Sequence, residues 1–123
     1  MPKILLIDDE EKLRGLLARI LTLEGFDIVE AGDLKSAQKK IEQHDIEVIV
    51  CDVKLPDGSG VDFAKTLKEK NSGIEIILLT AYGNIPDGVQ AIKNGAFDYI
   101  TKGDDNNKII GLVYRALDKY RLS

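Results

Sequence analysis

Two rhythms of apolar residues take turns along this chain. Ile4-Leu5-Leu6-Ile7, Val48-Ile49-Val50-Cys51 and Ile76-Ile77-Leu78-Leu79 are continuous apolar runs, the pattern of strands covered on both faces. Between them apolar residues recur at i, i+3 and i+4, the spacing of a helix. Leu13, Leu16, Leu17, Ile20 and Leu21 form one such stripe, stopped near Gly25, and a second helix is expected from about Leu34 to Gln43 with Asp33 as its N-cap. Asp27-Ile28-Val29-Glu30 is short and polar at its edges, which suits an edge strand. Pro56, Gly58 and Gly60 mark a loop, from which a helix starts near Ser59 or Gly60 and runs to about Lys70. Asn84 with Pro86 predicts the start of a fourth helix, ending near Gly95. Its Gly88 costs about 1 kcal/mol relative to alanine and makes it less rigid than its neighbours. Phe97 to Ile100 reads as the fifth strand, and Ile109, Leu112, Val113, Ala116, Leu117 and Tyr120 as the apolar face of a last helix.

Strands alternating strictly with helices through short connections are parallel and joined by right-handed crossovers. Central strands that are apolar on both faces need helices on both sides. The predicted architecture is a doubly wound five-stranded parallel α/β sheet, a (βα)5 three-layer sandwich of flavodoxin-like type.

Composition narrows the function more than the fold. A chain of 123 residues, 44% hydrophobic and 31% charged, suits one soluble domain, and no repeat, low-complexity stretch or linker divides residues 1–123. The net charge of −4, mixed along the chain, argues against nucleic acid as a direct partner and against a polybasic membrane anchor. No apolar run approaches the roughly 20 residues that cross a bilayer, and no leader pattern precedes the first strand. The single cysteine, Cys51, cannot form an internal disulfide and is expected in the core; cytoplasm is the expected location. The single histidine, His44, has no partner cluster and is expected to be solvated.

In a parallel sheet all strand C-terminal ends share one edge, where ligands bind. The first strand is followed by Asp8 and Asp9, the third by Asp52, the fourth by Thr80, and the fifth by Thr101 and Lys102. Each group alone has a plainer reading: Asp9 as a helix cap, Thr80 as a strand-end hydroxyl, Lys102 as a solvated charge. Three carboxylates at one rim are harder to dismiss, because two like charges about 4 Å apart repel by roughly 4 kcal/mol at an effective dielectric near 20. A cation relieves that repulsion, and oxygen-only ligands select a hard ion such as Mg²⁺. A carboxylate on a rigid strand end can take a phosphoryl group as an acyl phosphate, a reaction that needs positioning and charge neutralisation.

With those residues in place, Ile7-Asp8-Asp9-Glu10, Cys51-Asp52-Val53-Lys54-Leu55-Pro56-Asp57-Gly58, Leu79-Thr80-Ala81-Tyr82 and Gly95-Ala96-Phe97-Asp98-Tyr99-Ile100-Thr101-Lys102 together resemble the CheY-like receiver domains of two-component response regulators. The resemblance spans essentially the whole chain. It implies Asp52 as phosphoacceptor, with Mg²⁺ held by Asp8, Asp9, Asp52 and the backbone carbonyl of Lys54. It further implies that Lys102 pairs with the phosphoryl group, Thr80 moves toward it and Tyr99 turns inward behind it. The output face would comprise the fourth helix, fifth strand and last helix. Lys54 and Tyr82 would flank the site and gate the attacking water. The implied protein is a signalling switch and phosphoprotein rather than a metabolic enzyme. Its implied partners are a sensor histidine kinase, an output domain or downstream protein, and a second copy of itself after phosphorylation. The segments Ala81-Tyr82-Gly83-Asn84 and Gly95 to Tyr99 look most like receivers joined to NtrC-type ATPase activators of transcription.

The sequence departs from the family at Gly103, where proline usually follows the lysine, and Asp104, Asp105, Asn106 and Asn107 make the entry to the last helix polar. The departure bears on where Lys102 reaches, and it sustains one alternative, a receiver-like interaction module that is not phosphorylated. Two other classes fit less well. An Asp-nucleophile phosphatase of haloacid dehalogenase type wants Asp-x-Asp after one strand and a cap. A flavodoxin-like nucleotide or flavin binder wants a phosphate-cradling loop where this chain has Asp8-Asp9-Glu10-Glu11.

Overall fold

The computed structural model describes residues 1–81, 90–103 and 106–122. Its elements run β1 (Lys3–Ile7), α1 (Glu11–Leu23), β2 (Asp27–Ala31), α2 (Leu34–Gln43), β3 (Val48–Asp52), β4 (Lys54–Leu55), β5 (Gly58–Ser59), α3 (Gly60–Glu69), β6 (Glu75–Thr80), α4 (described over residues 90–93), β7 (Asp98–Thr101) and α5 (Lys108–Leu122). Five strands pair in parallel in the order β2-β1-β3-β6-β7. The order reverses direction at β1, so the crevice at the C-terminal ends of β1 and β3 lies at the switch point.

Alternation along the central strands divides the core. Ile4, Leu6, Val48, Val50, Ile77 and Leu79 point to one side, where Leu17 and Leu21 of α1 and Ile109, Leu112, Val113, Ala116 and Leu117 of α5 cover them. Leu5, Ile7, Ile49, Cys51, Ile76 and Leu78 point to the other, against Ala37 of α2, Ala64 and Leu67 of α3 and Ala91 of α4. All of β3 is buried, as its unbroken apolar pattern requires, whereas β2 at the sheet edge is mostly half-buried.

Helix α2 has the predicted bounds, and Asp33 caps it by accepting from the Ser36 N–H at 2.8 Å. Ser59 caps α3 in the same way, accepting from Asp62 N–H at 3.3 Å. Two expectations change. The loop after the third strand contains a short antiparallel ribbon, β4 with β5, because Lys54 and Leu55 pair with Ser59 and Gly58 across a turn too brief to show periodicity. The fifth sheet strand begins at Asp98 rather than Phe97, whose N–H still donates to Ile76 O at 2.7 Å while its ring packs on the core. The expected start of the fourth helix at Asn84 and Pro86, with Gly88, Tyr82, Asp104 and Asp105, lies outside the described residues.

Candidate functional site

Asp52 is the last residue of β3, buried on arrival at the rim and paired in register with Leu79. Its Oδ1 accepts from the Lys54 N–H at 3.2 Å, and its Oδ2 lies 2.7 Å from Lys102 Nζ. Gly60 lets the start of α3 pass close against the Asp52 main chain: a Cβ there would stand 2.1 Å from the Asp52 carbonyl oxygen, an overlap with backbone that no rotamer relieves. The Gly60 N–H instead donates to Val53 O at 2.8 Å, closing the loop tightly under the carboxylate.

The acidic pair follows β1. Asp8 is wholly buried and Asp9 exposed, and with Asp52 they place three carboxylate oxygens within 4.8 Å of one another. Asp9 does not cap α1, whose N-cap is Glu10 with no side-chain bond. Asp8 Oδ1 accepts from the Glu10 N–H at 3.0 Å and from Lys102 Nζ at 3.2 Å. Asp8 Oδ2 stands 3.1 Å from the same ammonium, within ion-pair range, yet accepts no hydrogen bond. Burial pushes the Asp8 carboxyl above the ordinary aspartate range, against the Glu10 N–H and Lys102, which favour its charged form.

Lys102 converges on all of this. Register pairing of Thr80 with Thr101, and a 2.7 Å bond from the Lys102 N–H to Thr80 O, carry it to the rim beside β6. Its ammonium meets Asp52, Asp8 and, at 3.6 Å, Glu10, with only 9% of the side chain exposed. Burial works against that charge, but hydrogen bonds to Asp52 and Asp8 outweigh it and hold the lysine above its usual range. Gly103 takes φ +81°, a left-handed conformation open to glycine and closed to proline, and the lysine still reaches Asp52. Thr80 ends β6 half-buried at the same rim.

Other residues singled out in the sequence lie elsewhere in the fold. Tyr99 is half-buried on β7 against the cluster beneath α2 and α3. Cys51 is fully buried with its thiol pushed upward by burial, next to the Asp52 carbonyl at 3.3 Å. His44, expected to be solvated, is instead half-buried at the end of α2, its Nδ1 3.5 Å from Lys3 Nζ at the far edge of the sheet, so it takes no part at the rim. Two further residues contribute without a motif to mark them. Arg14 donates from Nη1 to Asp8 O at 2.6 Å and from Nε to Glu30 Oε1 at 3.0 Å. Asp57 accepts from the Leu34 and Lys35 N–H groups at 2.9 and 3.0 Å. The signal for Arg14 lay in its place in the first turn of α1, because helical side chains lean toward the N-terminus and so toward the rim. No signal marked Asp57, whose partners are 23 and 22 residues away.

Chemically, the donor set suits a hard divalent cation. It is all oxygen, it brings three carboxylates together, and it leaves a buried carboxylate oxygen without a hydrogen bond among the described residues. The lysine meanwhile offers a point charge for an anionic group placed on Asp52.

The chain is similar to known proteins over nearly its whole length. Residues 4–114 match the family described as response regulator receiver domain. The response regulator protein PilR of Pseudomonas aeruginosa is 34% identical over 115 residues, 94% of this chain and 26% of that protein. The DNA-binding transcriptional regulator NtrC of Proteus hauseri is 30% identical over 115 residues, again 94% of this chain and 25% of the relative. The chain thus spans about a quarter of the length of these curated relatives. Among solved structures, the beryllofluoride-activated NtrC4 receiver domain dimer superposes with a TM-score of 0.90 at 35% identity, covering 98% of this chain and 99% of the other.

Proposed function

The chain belongs to the response regulator receiver domain family, and from that premise we propose that it is a phosphorylation-dependent signalling switch whose acceptor is Asp52. The observation that carries the reading is the meeting of Asp52, Lys102, Asp8 and Asp9 at one strand-end crevice. In the proposed step an Asp52 carboxylate oxygen attacks the phosphorus of a phosphohistidine. The bond from phosphorus to the imidazole nitrogen breaks, its electron pair leaves with the imidazole, and an acyl phosphate forms. Asp8, Asp9, Asp52 and the Lys54 carbonyl would hold Mg²⁺, which supplies neutralisation of the phosphoryl oxygens when bound. Lys102 exchanges its pairing with the Asp52 carboxylate for a phosphoryl oxygen, and the Thr80 hydroxyl donates to another.

Drawing Thr80 inward shifts an existing equilibrium, with Tyr99 following, on the face formed by α4, β7 and α5. A sensor histidine kinase would supply the phosphoryl group. The relatives are about four times longer than this chain, which supports an output module in the same protein, of transcription-activating type. The activated NtrC4 receiver is described as a dimer, which supports homodimerisation of this chain on phosphorylation. The switch so proposed would act in the cytoplasm, where a sensor kinase presents its phosphohistidine; no helix among the described residues is long and apolar enough to cross a membrane.

Intact-mass measurement after incubation with acetyl phosphate and Mg²⁺ tests the proposal. The expected result is one hydroxylamine-labile phosphoryl adduct, lost with a chelator and absent in Asp52→Asn. A folded wild type that takes neither phosphoryl group nor beryllofluoride would instead be an interaction module that is not phosphorylated.

A further inference from the structure

We propose that Arg14 is a positioning residue for the divalent-cation site, acting through the main chain of Asp8. The proposal rests on the switch reading above. Arg14 sits in the first turn of α1, and its own N–H closes that turn on Glu10 O at 2.9 Å. From there its guanidinium reaches back under the acidic loop and donates to Asp8 O at 2.6 Å. The Asp8 N–H donates on the other side to Ala31 O at 3.1 Å. The peptide groups flanking Asp8 are therefore held from both directions, by the edge strand and by the arginine. Asp8 and Asp9 are presented from the segment so fixed.

The arginine is itself held. Nε donates to Glu30 Oε1 at 3.0 Å, and only 19% of the side chain is exposed. Gly32 leaves the space, since a Cβ there would approach Nη1 to 3.3 Å. A planar fork with separate donors satisfies Asp8 O and Glu30 at once; a lysine ammonium presents one nitrogen and cannot hold both in this geometry.

Charge and geometry make opposite demands, which separates them. A cation beside a cation site repels the incoming ion, so a purely electrostatic Arg14 would weaken Mg²⁺ binding. Glu30 offsets that repulsion, and the benefit of the arginine comes from fixing the loop. Metal sites lose about tenfold in affinity or more when a residue orienting the ligands is removed.

The test is calorimetric titration of Mg²⁺ into wild type, Arg14→Met and Arg14→Lys, with melting in chelator as a separate readout of folding. Both variants are expected to bind about tenfold more weakly while still melting cooperatively. Arg14→Lys with wild-type affinity, or Arg14→Met binding more tightly, would overturn the proposal, because charge alone would then account for the residue. If Arg14→Met does not fold, Arg14→Lys decides. A wild type that binds no Mg²⁺ would overturn the switch reading along with this inference.

Discussion

Asp33 shows how one side chain writes both an element boundary and a pH dependence. Its carboxylate accepts from the Ser36 hydroxyl at 2.5 Å and from the Ser36 N–H at 2.8 Å, and these two bonds hold it below the ordinary aspartate range. A carboxyl depressed in the fold stabilises above its unfolded pKa, and that contribution is lost as the pH falls through the folded value. Asp33→Ala should therefore lower the melting temperature most near neutral pH, with the gap to wild type closing as the solution is acidified below the ordinary aspartate value. A gap independent of pH would mean that the charge of the cap is immaterial. Residues at the rim follow a different logic: burial of Asp8 pushes its carboxyl above the ordinary aspartate range, despite the Glu10 N–H and Lys102, which favour its charged form.

At the scale of elements, the loop after Asp52 and helix α2 form one unit. Asp57, on the turn between β4 and β5, takes both of its hydrogen bonds from the first residues of α2, Leu34 and Lys35. Those N–H groups have no partner within the helix, so a carboxylate from another loop completes the cap that Asp33 begins. Asp57→Ala should cost about 1 kcal/mol in urea unfolding, with faster hydrogen exchange at the Leu34 and Lys35 amides. Unchanged exchange there would show that solvent replaces the carboxylate without loss. Helix α2 was legible over about Leu34 to Gln43 with Asp33 as its N-cap, since capping is a local signal. The ribbon of β4 and β5 was not, because two residues per strand leave no period to read.

Across the whole molecule, the sheet separates stability from chemistry. Helix α5 packs Ile109, Leu112, Val113, Ala116 and Leu117 against the sheet and α1. Its last turns lie toward the edge where strands begin: Lys119 pairs with buried Glu75 at the start of β6 at 3.3 Å, and Arg121 with Glu47 at 3.6 Å. The acidic site occupies the opposite edge. Leu117, 2% exposed, is deep in that remote end, and Leu117→Ala should cost about 3 kcal/mol in urea unfolding. Mg²⁺ affinity measured on the folded variant should match wild type; a parallel loss of affinity would show that the two edges are coupled.

Hydrophobic rhythm alone determined the alternation of strands and helices, the two-sided core and the arrival of Asp8, Asp9, Asp52, Thr80 and Lys102 at one rim. Periodicity is a local property, and parallel topology turns it into a global one. Only the tertiary structure decided which of those groups touch. Lys102 bridges Asp52 and Asp8 across 50 and 94 residues of chain, and Asp57 caps a helix that precedes it. Gly103 could be read as a departure, but whether the lysine beside it reaches the acid cluster depended on loop geometry that no spacing encodes. Arg14 held its place in the first turn of α1 in plain view; its partner, a backbone carbonyl, carries no side-chain signature. Such contacts are settled by distance in the folded chain, so the sequence supplied the groups and the packing chose the pairs.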